Sequence, residues 1–305
     1  MQTTLVAPVG FRGVGLHSGR LMRLRVNPAP ADHGIAFLRT DMREAGLVPA
    51  RWTFAEPAQL CTRIANRAGA SVSTIEHLMA ALAGCGIHNA LIEIDGPEVP
   101  ILDGSARPFV EAFLARGLSR QDAPLSALRI LSPITVQDGD ALARLEPAPR
   151  LEIDFSIEFE NRVIGRQAMT LDMANGAFVR ELADSRTFCR HEDVERMHAM
   201  GMALGGSLRN AVVFDEDRVL SPGGLRHRDE PVRHKMLDAL GDLSLAGMPI
   251  LGRYVGLRAG HALTGRLLRT VFATPSAWEV VTLTQAQAHD LPGAGVGLED
   301  LALSA

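Results

Sequence analysis

Cysteine, aromatic side chains and a dominant charge are all scarce in this chain of 305 residues. Its three cysteines, Cys61, Cys85 and Cys189, are odd in number and lack paired spacing. No disulfide framework is expected, and a reducing compartment fits. Aromatic residues make up 5% of the chain, and the formal net charge of −4 offers no basic footprint for nucleic acid. No apolar run reaches the length that spans a bilayer, and no cationic stretch leading into an apolar one opens the chain. A cytoplasmic, soluble protein is expected. Several catalytic signatures are missing too: there is no His-Glu-x-x-His, no Gly-x-Ser-x-Gly elbow and no phosphate-binding loop ending in Gly-Lys-Ser/Thr. His191-Glu192-Asp193-Val194-Glu195 only approaches the first, and Gly13-Val14-Gly15 lacks the third glycine of a dinucleotide fingerprint.

What is present is a pattern of strands punctuated by helices. Leu21 to Val26 alternates apolar and basic residues, as a half-buried strand does. Gly34 to Arg39, Gln59 to Asn66, Ser71 to Ser73 and Ala90 to Asp95 read likewise, with helices over Ile75 to Ala83 and Ser105 to Arg116. A polar stretch, Ser119 to Ser126, is the expected linker. Beyond it strands are expected over Leu128 to Val136, Leu151 to Phe159, Val163 to Thr170, Ala211 to Phe214 and Leu251 to Leu257. Helices are expected near Ala177 to Ala183, Asp193 to Met200, Glu230 to Leu245 and His261 to Val271. Both halves thus run strands, helix, strand. The expected fold is α+β, two similar two-layer sandwich domains facing each other, over residues 1–126 and 127–285, with 286–305 a loose tail.

Two short segments concentrate the groups that do chemistry. In a helix, His234, Asp238 and Asp242 fall on one face at positions i, i+4 and i+8. An imidazole and a carboxylate one turn apart can share a divalent cation, but such a pair is also a common solvated contact. Upstream stands Glu76-His77. Ser73-x-x-Glu76 also reads as a capping box, with His77 merely in the first helical turn. On residues alone, Cys61 and Phe159 default to packing and His261 to an ordinary satisfied histidine.

Longer stretches decide between these readings. Ser71 to Leu82 and Val232 to Asp242 closely resemble the two metal motifs of the UDP-3-O-acyl-N-acetylglucosamine deacetylases, zinc amidases of lipid A biosynthesis. Gly13 to Gly19, Pro100 to Ser105, Ser185 to Phe188, Leu204 to Ser207 and Gly260 to Leu263 extend the resemblance over nearly the whole chain, the C-terminal tail excepted. It implies that His77, His234 and Asp238 bind Zn2+ and that Glu76 is the general base toward water. It implies a protonated His261 assisting the leaving amine, Asp242 orienting it, and Thr187 donating to the oxyanion. Lys235 joins this set and contacts the sugar-diphosphate, while Phe188 packs on the sugar, with Cys61, Phe159, Gly206 and Arg258 also at the substrate.

The family carries an insert in each domain. The second, near residues 191–214, implies a passage for a 3-O-acyl chain, with Met197, Met200, Met202, Ala203, Leu204 and Val213 as its lining. The implied partner is an acylated UDP-sugar substrate, with no nucleic acid, loose association with the inner membrane surface and a monomeric state. One departure stands out: Ala141 occupies a place where the family often has Lys, and Arg144 or Arg258 is the expected substitute. That change motivates a second reading, another N-acylated sugar nucleotide as substrate. A non-catalytic metal or acyl-chain binder is disfavoured by the complete set Glu76, Asp242 and His261.

Overall fold

The computed structural model describes residues 1–42 and 45–302. Its framework is a topology used twice. In the first half, strands Val9–Val14, Leu21–Pro28, Ile35–Arg39, Leu47–Pro49 and Ala90–Ile94 form a five-stranded sheet. Numbered one to five along the chain, they stand in the order 1-2-5-3-4. In the second half, Ile134–Asp138, Ala141–Glu146, Glu152–Glu158, Arg166–Asp172 and Arg253–Leu257 stand in the same order. Each sheet has one parallel pair, between its third and fifth strands, and is otherwise antiparallel. The α+β expectation is met. Alternation positions the core: Met22, Leu24 and Val26 point inward while Leu21, Arg23 and Arg25 face out.

Eight helices accompany the sheets among the described residues: α1 (Glu76–Gly84), α2 (Arg107–Arg116), α3 (Ala177–Glu181), α4 (His191–Ala199), α5 (Glu230–Leu243), α6 (His261–Phe272), α7 (Gln285–His289) and α8 (Glu299–Ala302). In each half a long helix, α1 or α5, connects the fourth strand to the fifth, and another, α2 or α6, follows the fifth. None of the helices described is long and apolar enough to cross a membrane. α1 and α5 are buried almost all round, as helices enclosed on every side must be. They pack on each other and merge both halves into one apolar core, from Leu24 and Phe37 through Leu78 and Leu237 to Phe155 and Tyr254. Gly241 is the closest point: a Cβ there would overlap the carbonyl oxygen of Glu76.

Several local expectations are replaced. Leu118–Arg120 pairs with Thr3–Leu5, and Ser126–Ile130 is the middle strand of a three-stranded sheet, so most of the expected linker is paired or adjoins paired chain. The run read as one strand, Leu128 to Val136, is broken at Leu131 to Pro133, because Pro cannot donate to a ladder. The capping box at Ser73 does not form: Ser73 ends a strand, Thr74 adopts φ +56°, and Ile75 is the residue before the helix. Nor, among the described residues, is the segment after Gln285 loose. Thr284 and Gln287 make a capping box for α7, Leu291 and Leu301 are buried, and Asp300 pairs with Arg180 at 2.6 Å.

Two glycine substitutions test this packing. Gly241→Ala should cost about 1–3 kcal/mol, because the obstructing atoms are backbone and cannot swing aside. Gly265→Ala, on α6 with only the end of Arg269 nearby, should leave stability equal or raise it by up to about 1 kcal/mol. Chemical unfolding midpoints of the two variants give the comparison.

Candidate metal and hydrolytic site

The contact of α1 with α5 brings the two chemistry-bearing segments face to face. His77 Nε2 lies 3.6 Å and His234 Nε2 3.3 Å from Asp238 Oδ1. One ligand atom from each of these three buried residues falls within 4.8 Å of the others. His234 Nδ1 pairs with the Ser185 carbonyl at 3.0 Å, which turns Nε2 toward the cluster as an acceptor. Burial is the largest influence on His234 and pushes its pKa down to about 4, so the ring is neutral and able to ligate. Burial opposes ionisation of Asp238, but neighbouring positive charge, Lys235 foremost among the charged groups, outweighs it and holds the carboxyl well below its usual range. Lys235 Nζ donates to Asp238 Oδ2 at 2.7 Å, whereas Oδ1 is buried with no hydrogen-bond partner. A buried carboxylate oxygen left unpaired is costly. Two imidazole nitrogens beside it make a donor set that fits a divalent cation with a position open for water.

A second group of polar side chains adjoins the first. His261, the first residue of α6, places Nδ1 2.8 Å from Asp242 Oδ2 and Nε2 3.9 Å from Glu76 Oε1. Burial alone would lower the His261 pKa, but the Asp242 and Glu76 carboxylates prevail and push it up to about 9. Glu76 is 3% exposed, and that burial raises its pKa against the opposing pull of His261 and His77. A carboxylate with raised proton affinity beside a cationic imidazole is a pairing suited to proton transfer. Glu76 Oε2 accepts from the Thr62 amide at 3.0 Å, the partner it takes in place of the expected cap.

The family model for UDP-3-O-acyl N-acetylglycosamine deacetylase matches residues 2–273. This chain belongs to that family. Among its relatives, the UDP-3-O-acyl-N-acetylglucosamine deacetylase of Phenylobacterium zucineum is 49% identical over 93% of this chain and 97% of its own length. The protein of the same name from Shewanella violacea is 47% identical over 92% of each. That of Myxococcus xanthus is 46% identical over 99% of this chain and 95% of its own, so the likeness reaches into the tail, which the motifs alone did not cover.

The remaining residues implied by the family resemblance are distributed unevenly around the cluster. Phe188 stands edge-on to His234 at 6.2 Å and to Phe159 at 5.6 Å, an aromatic wall beside the metal-type ligands. The Thr187 amide donates to Gly104 O at 2.8 Å, which ties its loop to the first half. Cys61 is buried beside Glu76, whose charge adds to burial in pushing the thiol up to about 12. Gly205 serves a chain crossing, donating to Leu16 O at 2.9 Å where a Cβ would overlap the Gly15 carbonyl, whereas the Gly206 amide closes a turn on Ala203 O at 2.9 Å. In the insert, Ala203 and Val213 are buried, but Met200 and Leu204 are exposed. Arg258 pairs with Glu158 and, at 3.4 Å, with Asp140, neither of which belongs to the cluster. Arg144 likewise pairs with Glu146 at 3.5 Å, so neither arginine is a free cation in place of a lysine at Ala141.

Sequence reasoning missed three supports. Thr62 and Glu230 carry no motif signal of their own, and Ser185, though inside a family motif, was given no role. Glu230 is wholly buried at the start of α5, where it accepts from Arg186 N, Nε and Nη2 and from Arg226 N. These bonds tie the Ser185–Thr187 loop to the helix that carries His234 and Asp238. A test of the cluster as a metal centre is elemental analysis of purified His234→Ala. Metal content should drop to background, and retention of wild-type stoichiometry would remove His234 from the ligand set.

Proposed function

We propose that this chain is a zinc-dependent amidase that hydrolyses the N-acetyl group of UDP-3-O-(3-hydroxyacyl)-N-acetylglucosamine, releasing acetate and the free amine. This is the committed step of lipid A biosynthesis. The observation that carries the reading is the convergence of Glu76, His261 and the His77–His234–Asp238 cluster on one buried site from two halves of the chain. The names of the relatives supply the substrate. Family membership and the cysteine usage support a cytoplasmic setting, and a monomer is part of the same proposal.

His77, His234 and Asp238 would hold one Zn2+ ion, which when bound supplies Lewis acidity toward water and the amide carbonyl. Glu76 takes the proton from the attacking water, one of its oxygens being held by the Thr62 amide and the other free to face the reacting atoms. The Thr187 hydroxyl donates to the oxygen on which negative charge develops. Breaking the C–N bond leaves an amine that departs readily only once protonated, and His261 delivers that proton from Nε2. Asp242 holds Nδ1 and keeps the imidazolium charged. Lys235 neutralises Asp238 at Oδ2, leaving Oδ1 to His77 and His234, and Phe188 and Phe159 present a surface for the sugar ring. Ala203 and Val213 are buried members of the lining proposed for the acyl chain.

The substrate test compares turnover of UDP-GlcNAc with and without the 3-O-acyl group. A strong preference for the acylated compound is expected, and equal rates would sink the lipid A assignment in favour of a broader N-acylated sugar nucleotide. Glu76→Ala should keep its metal and lose most turnover, about 100-fold or more if it is the base.

The pH profile has a sign on each side. Glu76 must be ionised, and its raised pKa puts the acid limb above the usual carboxylate range. His261 must be protonated, so activity should fall as pH rises through about 9. A profile flat to pH 10 would contradict the acid role of His261.

A further inference from the structure

Thr62 is placed where no motif would have drawn attention to it. It is 8% exposed and sits between Cys61 and the short strand Arg63–Ala65. Its amide donates to Glu76 Oε2 at 3.0 Å, and its hydroxyl donates to Asp242 Oδ1 at 2.5 Å. Its carbonyl accepts from the Ile75 amide at 3.4 Å, immediately before α1. Glu76 is on α1 and Asp242 on α5, so one residue bonds to both helices of the central pair.

The geometry of the oxygens gives these bonds a consequence. Each carboxylate offers one oxygen to Thr62 and the other to His261: Glu76 Oε1 lies 3.9 Å from His261 Nε2, and Asp242 Oδ2 lies 2.8 Å from Nδ1. A carboxylate turns about a single bond with little resistance, so holding one oxygen orients its twin. We propose that Thr62 is a positioning residue that fixes Glu76 and the Asp242–His261 pair in one shared geometry. This inference rests on the proton-transfer roles proposed above for Glu76 and His261. Threonine suits the task because its β-branched side chain is stiff at χ1, and its hydroxyl must donate, since an ionised carboxylate can only accept. Valine keeps the shape and removes the donor, leaving Asp242 Oδ1 without that bond. Serine keeps the donor and removes only the methyl group.

The test uses the metal-loaded full chain with Thr62→Val and Thr62→Ser. Thr62→Val should lower kcat about 10- to 100-fold, the range typical of losing a partner that orients a working group, with KM within about twofold and metal content unchanged. Thr62→Ser should restore most of the rate. A second readout needs no turnover: the His261 ring signals in the NMR spectrum of the uncomplexed protein should shift in the valine variant and return toward wild type in the serine variant. If valine turns over at the wild-type rate, or serine fails to recover what valine loses, the positioning role is overturned. Should Thr62→Val not fold, Thr62→Ala takes its place against the same serine control. A wild-type chain inactive on the acylated UDP-sugar would overturn the proposed function. The ring signals would still report whether Thr62 orients the Asp242–His261 pair.

Discussion

The close crossing of α1 on α5 is the constraint from which the site follows. Gly241 has no side chain, and the main chain of Glu76 occupies the space a Cβ would need. Next to that glycine in sequence is Asp242, and next to that glutamate is His77. The groups that would bind metal and move protons are therefore neighbours of the tightest backbone contact between the halves. Wider spacing would separate His77 from Asp238 and Glu76 from His261, whose separations of 3.6 and 3.9 Å leave little slack. The apolar residues of both helices, Leu78 and Leu82 on one and Met236, Leu237 and Leu240 on the other, supply the burial that holds the crossing closed.

That burial creates an electrostatic problem the site resolves unevenly. Glu76, Asp238 and Asp242 are each 3–4% exposed, and three anions so close together in a poorly solvated place repel one another. Lys235 compensates Asp238, the imidazolium of His261 compensates Asp242 and Glu76, and Thr62 donates a hydrogen bond to each of the latter two. What is left over is Asp238 Oδ1 beside the Nε2 atoms of His77 and His234, a buried oxygen with no hydrogen-bond partner. The remaining deficit has the chemistry of a cation site. Farther out, Glu230 with Arg186 shows the opposite solution, a buried carboxylate matched within the protein and used to anchor a loop.

The readability of the chain followed the range of the interactions involved. Periodicity located α1, α5 and α6 to within a few residues because amphipathic and buried patterns are local, and the i, i+4, i+8 stripe of α5 emerged as written. Ser73 and Glu76 misled because the spacing of a helix cap also fits a turn whose glutamate bonds elsewhere. The long-range bond from Thr62 won, and Thr74 took an unusual backbone conformation in the turn that precedes the helix. Arg258 misled for a related reason. A cation near a missing lysine looks available until Asp140 and Glu158, distant in sequence, are found beside it. The segment after Gln285 looked featureless because its anchors, Arg180 for Asp300 and Gly86 for Gly293, lie more than a hundred residues away.

By itself the sequence determined the helical stripe His234–Asp238–Asp242, the α+β alternation and, through extended motifs, the family. These are properties of neighbours along the chain, where spacing alone decides which side chains share a face. Only the tertiary structure decided which groups meet. It put His77 opposite His234, gave Asp242 to His261 and Thr62, left one oxygen of Asp238 without a donor, and closed the distances at Gly241. Those outcomes depend on packing between halves that sequence spacing does not encode. The same packing excludes water, which keeps His234 neutral, and sets the Asp242 and Glu76 carboxylates beside His261, which keep that ring charged against its burial.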